Sequence, residues 1–444
     1  MRKSMKVMMA LCAVMLAVGV ASVSAQQVVI RYSMWDSNQL PAYQKVAENF
    51  MAKNPNIKIE ITQVGWGDYW NDLQTSMVGG TAPDVFTNHL AKYPEFASKG
   101  QMIDIEPMVK ADKIDVKQYL SGLADLWTRD GKRYGLPKDW DTIAIVYNKQ
   151  ILKDAGIDEK ELENLTWNPK DGGSFEKLLA KLSLDKNGNN GLSPKFDKKN
   201  VVRWGTAIDY PNIGAYGQTQ FSHFAVSNGW KFNDGMYATK YYYDDPKLVE
   251  TIQWMADLSR KKGFMTPYEE VGSFGSANAL FTSGKIALIL DGSWMIDFYS
   301  KNTNFPIGFA RLPIGPKGRK SMFNGLADSI WTGTKHPKEA WQWVKYLASK
   351  DAQDVVGSYG VVFPAIESGV QAALKAFKAR NLDVSAYTAQ ALEKDGTFLF
   401  PITDNASQIT SIMQQAFDTI FLGQATAADA LKKANELVNA TFKK

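Results

Sequence analysis

Cysteine is almost missing from this 444-residue chain; the single one, Cys12, lies in the first apolar stretch. With no second thiol the chain forms no internal disulfide and has no thiolate metal cluster. Histidine is nearly as scarce, and His89, His223 and His336 are scattered without metal-ligand spacing. No Gly-x-Ser-x-Gly elbow and no phosphate-cradling Gly-Lys-Ser/Thr loop occurs, and Gly65-Trp66-Gly67 lacks the third glycine of a dinucleotide loop. These gaps remove the commonest routes to nucleophilic, metal and nucleotide chemistry. An excess of one charge is missing too. The first 25 residues carry three of the 51 basic residues, leaving 48 against 46 acidic ones. Short clusters such as Lys198-Lys199 and Lys261-Lys262 read as solvated faces, not nucleic-acid patches.

Long apolar runs are confined to the N-terminus. Arg2, Lys3 and Lys6 precede an apolar stretch over residues 7–20, which closes on Val23-Ser24-Ala25. A basic head, an apolar centre and a small-residue exit describe a secretory signal peptide, cleaved after Ala25. The stretch is shorter than the roughly 20 residues of a spanning helix. Cys12 follows Leu11 and stands away from the cleavage site, so the pattern is not that of a lipoprotein. The sequence therefore predicts a free, exported, monomeric protein in the periplasm.

The 419 residues after the cleavage point exceed what one core usually serves, and predict two lobes. Aromatic residues are abundant, with 13 Trp and 18 Tyr. Many belong in a large core, but an excess of Trp also suits a protein that grips flat apolar faces. Residues 28–34 read as a strand, 42–53 as a helix, 57–64 as a strand, 69–78 as a helix broken by Gly79-Gly80, and 84–86 as a third strand. A β-α-β-α-β order implies a parallel sheet covered by helices, with ligands gathering beyond the carboxyl ends of its strands. Trp35-Asp36-Ser37-Asn38 and Thr87-Asn88-His89 are the loops expected there. Further strands are expected at 142–147, 285–290 and 329–332, a helix at 337–349, and a helical tail over 409–442.

The central block is the most specific. Tyr134-Gly135-Leu136-Pro137, Asp141-Thr142, Tyr147-Asn148-Lys149 and Ala155-Gly156-Ile157 resemble the family 1 extracellular solute-binding proteins, the maltose- and multiple-sugar-binding proteins of bacterial ABC importers. Other blocks agree in order: Gly79-Gly80-Thr81-Ala82-Pro83-Asp84, Thr166-Trp167-Asn168-Pro169, Gly284-Lys285-Ile286-Ala287 with Gly292-Ser293-Trp294, and Lys338-Glu339-Ala340-Trp341. The resemblance implies an α/β, two-lobed periplasmic binding fold of the type II kind, with parallel-rich sheets and a ligand cleft closed by hinge motion. It implies one lobe from residues 26–139 plus 325–362 and another from 140–324 plus 363–444. It also implies a sugar ligand and a membrane permease as partners, with no cofactor and no catalysis.

A sugar offers paired hydroxyls and an apolar C–H face; a carboxylate accepts the first and an indole covers the second. By resemblance, Asp36, Asp141 and Trp294 face the cleft, with turn or capping duty the competing role for the aspartates and core packing for the indole. Trp35, Trp140 and Trp230 are further candidates, as are Asn88 and His89, although the aromatic that maltose binders carry in that loop is absent. Gln220 and Asp328 follow from loop position. Trp66, Trp341 and Trp343 are assigned to structure. Asp185-Lys186-Asn187-Gly188-Asn189-Asn190 has alternating oxygen ligands, but Asn190 and Phe196 replace the glycine and glutamate of a calcium loop, so it reads as a surface turn. Two alternatives stay open: a secreted glycoside hydrolase, whose carboxylate pair leaves no local motif, and the same fold carrying a polyamine, metal chelate or anion.

Overall fold

The computed structural model describes residues 27–443. The signal peptide expected over residues 1–25, its expected cleavage point and Cys12 lie outside the described residues. Strand β1 (Val28–Met34), helix α1 (Leu40–Lys53), β2 (Ile57–Gln63), helix α2 (Trp66–Val78) and β3 (Val85–His89) follow one another as the periodicities require. Pro41 opens α1, where a missing N–H costs nothing, and Ala42, Tyr43, Val46, Ala47 and Phe50 turn its apolar stripe inward. Tyr69, Trp70, Leu73 and Met77 do the same on α2. β1 pairs in parallel with β2 and β3.

Then the chain departs from the simple alternation. β4 (Leu136–Asp141) and β5 (Ile143–Asn148) are separated by Thr142 alone, yet they belong to different sheets. β6 (Leu288–Gly292) and β7 (Ile307–Ala310) flank β5 in a three-stranded, wholly antiparallel sheet. The ten-residue β8 (Ser321–Ile330) returns to the first sheet and runs antiparallel between β3 and β4. β9 (Phe363–Pro364) pairs with β4, and β10 (Thr397–Leu399) joins the start of β8 in parallel. The larger sheet thus has seven strands, in the order β9-β4-β8-β3-β1-β2 with β10 on β8. Parallel pairing dominates its β1–β3 edge and is absent from the smaller sheet.

Among the described residues three bodies of buried residues form, and two of them correspond to the two sheets. The first gathers Ile30, Tyr32, Val85, Leu136 and Trp343; the second gathers Ile143, Ile145, Leu288, Phe221 and Phe417. The chain first crosses between them at Thr142, whose hydroxyl donates to the Tyr387 carbonyl at 2.9 Å. Beyond Val362, the expected boundary, the chain still contacts the first body. Phe363 and Pro364 pair with Trp140 and Asp139, and Val370, Ala373, Phe377 and Tyr387 all pack into the first body. The sequence pattern could not reveal this, because the helix Glu367–Ala379 is amphipathic whichever lobe receives its apolar face. The tail forms two helices, Ala406–Phe421 and Ala427–Ala440, with a break between them. Among the described residues no helix is long and apolar enough to cross a membrane.

Candidate functional site

A cleft of about 880 Å³ opens where the two bodies meet. Its first wall is aromatic. Trp35 follows β1 directly, and Trp66 and Trp70 sit one turn apart at the start of α2, so three indoles converge: Trp35 lies 5.1 Å from Trp66 and 5.4 Å from Trp70 between ring centroids. The Gln63 amide holds Trp35 in place by donating to its carbonyl at 2.8 Å. Trp70 is buried beneath, while Trp66 leaves 42% of its surface exposed into the opening. An indole exposed at the mouth of a cleft beside two further indoles offers a ligand a contiguous apolar face. His89, the last residue of β3, stands 5.5 Å from Trp66; burial pulls its pKa down to about 3, and it is neutral.

The opposite wall comes from the second body. Trp294 lies just past β6, half-buried, with its ring directly over Gly292: a Cβ on that glycine would fall 1.8 Å from the indole. The glycine is therefore what lets the ring lie flat against the strand end. Asp291 beside it accepts from Tyr299 Oη at 2.6 Å and from the Gly292 amide at 2.8 Å. Burial is the main cause that lifts Asp291 to about 7. Asp209, Tyr216, Gln218, Gln220 and Gln414 complete this side.

The floor is the crossing itself. Asp139, Trp140 and Asp141 at the end of β4 lie beside Asn324 and Leu326 of β8. Asp141 accepts from Gln218 Nε2 at 3.2 Å and from Asn324 Nδ2 at 3.1 Å, and desolvation raises its pKa. Asp139 is 2% exposed and neither of its oxygens has a hydrogen-bonding partner. Burial chiefly, opposed by Lys138 and helped by Asp328 and Asp36, holds it at about 7. Asp36 accepts from the Asn38 amide and the Gln39 side chain, each at 2.8 Å, so it serves a turn and lines the cleft at once.

Of the residues singled out from sequence, Trp35, Asp36, His89, Trp140, Asp141, Gln220 and Trp294 line the cleft. Trp140 offers only an edge, because Phe363 stacks on its ring at 4.9 Å and Phe323 stacks at 6.0 Å. Three lie elsewhere. Trp230 is a core indole, 4.2 Å from the Phe232 ring, and its Nε1 donates to the Tyr242 carbonyl at 2.7 Å. Asn88 belongs to β3 rather than to a loop; one residue before His89, it points to the other face of the sheet and donates to Ser329 Oγ at 3.1 Å. Asp328 is buried beneath the floor, accepting from Tyr32 Oη at 2.8 Å and Thr87 Oγ1 at 3.0 Å and pairing with Lys138 Nζ at 3.4 Å.

Sequence reasoning missed Trp66, Trp70, Asp139, Asp209, Asp291 and Asn324. Trp66 and Trp70 did leave a signal, an i,i+4 indole pair at a helix start. Asp291 directly precedes the Gly292-Ser293-Trp294 block. Asp209 and Asn324 left none, since their place depends on the crossing. The Asp185 carboxylate accepts from the amides of Asn187, Asn189 and Asp197, as a tight turn requires. Among the described residues no three His, Cys, Asp or Glu side chains are grouped to hold a metal ion.

A family model described as bacterial extracellular solute-binding protein matches residues 36–354. A Brucella abortus chain described as a binding protein is 24% identical over 432 residues, 96% of this chain and 95% of its own length. The maltodextrin-binding protein of Bacillus subtilis is 26% identical over 306 residues, 67% of this chain and 64% of that protein. Among solved structures, an ABC substrate-binding protein of Listeria monocytogenes in complex with cycloalternan superimposes with a TM-score of 0.80 at 22% identity, over 94% of this chain and 99% of that one.

Proposed function

Because the chain belongs to the bacterial extracellular solute-binding proteins, we propose that it is the receptor of an ABC importer that captures an oligosaccharide between its lobes. It then presents the sugar to the membrane permease. The observation that carries this reading is the pairing of the exposed Trp66 face on one wall with Trp294 on the other, with carboxylates between them. Two indole planes grip the apolar faces of pyranose rings, and Asp36 and Asp141 accept from their hydroxyls. A volume of about 880 Å³ lies at the upper end of the ~300–1,000 Å³ typical of ligand sites, which favours an oligosaccharide over a single ring. The Bacillus subtilis relative is named for maltodextrin and the Listeria structure holds cycloalternan, and both agree with a sugar cargo.

The location is extracytoplasmic, as the family's is. The exported form begins at Gln26, carries no lipid and is a monomer. Binding proceeds without turnover: the cargo leaves the cleft chemically unchanged. Closure of the lobes about Thr142 encloses it.

A thermal-shift screen against mono- and oligosaccharides tests the assignment. A true ligand at 100 times its Kd stabilises by about 2.7 kcal/mol. Chromatography of the recovered sugar separates a receptor from a hydrolase. A panel with no stabilising saccharide, or recovery of shortened sugars, overturns the reading.

A further inference from the structure

The cleft is far more acidic than the chain that builds it. Asp36, Asp139, Asp141, Asp209 and Asp291 line it, against Lys92 as the only basic side chain carrying charge. The chain as a whole has more basic than acidic residues. Among the described residues no Lys or Arg forms an ion pair with any of the five; the aspartates that do so lie elsewhere. Their partners are neutral: the Asn38 amide and Gln39 for Asp36, Gln218 and Asn324 for Asp141, Asn212 for Asp209, and Tyr299 with the Gly292 amide for Asp291. Lys92 Nζ stands 5.7 Å from the Trp70 ring centroid, and burial holds His89 neutral.

Independent of the carboxylates, buried polar atoms on the cleft lining have no partner in the protein. Ser293 is 1% exposed and its Oγ is unpaired; Asn324 is 2% exposed and its Oδ1 is unpaired. Such groups are costly unless a bound molecule completes them. The available aromatic faces of Trp66 and Trp294 also attract a cation as well as a sugar ring.

We infer that the cargo is a cationic saccharide, a sugar carrying at least one protonated amine. This rests on the sugar-receptor reading above and narrows it. A neutral sugar would leave several buried carboxylates to share its hydroxyls with no charge to answer theirs. An ammonium on the ring turns those contacts into charge-assisted hydrogen bonds.

The test is titration calorimetry of the protein at low salt and about pH 7, where an amine with a pKa near the ~7.7–8.0 of an α-amino group is mostly protonated and the carboxyls of Asp139 and Asp291 are about half ionised. The probes are a glucosamine disaccharide, its N-acetylated form, the neutral glucose disaccharide of the same linkage, and spermidine. The aminated sugar should bind about tenfold more tightly than the neutral and acetylated ones. That advantage should shrink in high salt and in each of two variants, Asp209→Asn and Asp141→Asn, which keep the side-chain shape. Equal or tighter binding of a neutral sugar overturns the inference and leaves the sugar receptor standing. Binding of spermidine alone, or of no saccharide, overturns both.

Discussion

Asn324 and Asp141 are register partners on β8 and β4, and the Asn324 amide donates to Asp141 Oδ2 at 3.1 Å where the chain crosses between lobes. Gln218, from the second body, donates to the other oxygen at 3.2 Å. One carboxylate is thus held by amides from both sides of the cleft, on the last residue before the crossing. Asp141→Ala should weaken sugar binding by about 1.5–3 kcal/mol, the worth of a charge-assisted hydrogen bond. Calorimetry checks the affinity. The unliganded melting temperature should fall slightly, because the Asn324 and Gln218 amides lose their acceptor.

Trp66→Ala should lower affinity by about 1–2 kcal/mol, in line with loss of an aromatic contact and its buried area. Because the side chain is 42% exposed, the unliganded melting curve should stay where it is. Trp294→Ala should cost about 2–4 kcal/mol of binding, as a hot-spot residue does. It should also lower the melting temperature slightly, since its ring packs against the second core. Native affinity in both variants would remove the aromatic walls from the site.

Lys138 and Asp328 form an ion pair in which both side chains are 2% exposed, and Lys138 Nζ also sits 4.0 Å from the Tyr43 ring centroid. Removing one partner strands the other charge in a medium that cannot solvate it. Lys138→Ala should therefore destabilise the protein by about 3–5 kcal/mol in urea unfolding. A loss below about 1 kcal/mol, the range of an exposed pair, would contradict this account.

Asp139 gives a pH signature. Its folded pKa of about 7 lies above the ordinary carboxylate value, so between about pH 4 and 7 the folded state holds a proton that the unfolded state has released. Unfolding then releases a proton, and this residue's contribution to stability falls as pH rises through that window. Asp139→Asn removes the titration. The variant should match the parent near pH 4 and exceed it at about pH 8, with melting curves across that range as the measurement. The opposite crossing would place the Asp139 charge in a compensated environment.

Much of the fold was legible because local periodicity decides it. β1 was read to its observed ends, and α1, α2 and β2 to within a few residues, since apolar spacing of two or about 3.6 fixes which face is buried. The Asp36 and Trp294 neighbourhoods followed from short blocks with a family likeness. β8 was barely visible: residues 329–332 read as a strand, whereas the observed strand runs Ser321–Ile330 and shares only Ser329 and Ile330 with that reading. Its first half carries Asn324 and Gly325, which have poor strand propensity and are held by β4 and β10 instead.

What the sequence determined by itself is the inventory: strands and helices in order, a chain nearly free of thiols and imidazoles, a surplus of indoles, and a likeness to solute receptors. What only the tertiary structure decided is which side chains share the cleft. Trp230, Asn88 and Asp328 met the same chemical criteria as Trp35 and Asp141, yet core packing, the pleat of β3 and the Lys138 pair take them away from it. Trp66 and Asp291 were brought in by the same long-range pairings. The physical reason is one of distance: a strand or helix follows from neighbours a few residues apart, while this cleft joins residues 36, 141, 209, 291 and 324, whose meeting depends on where the chain crosses between two cores.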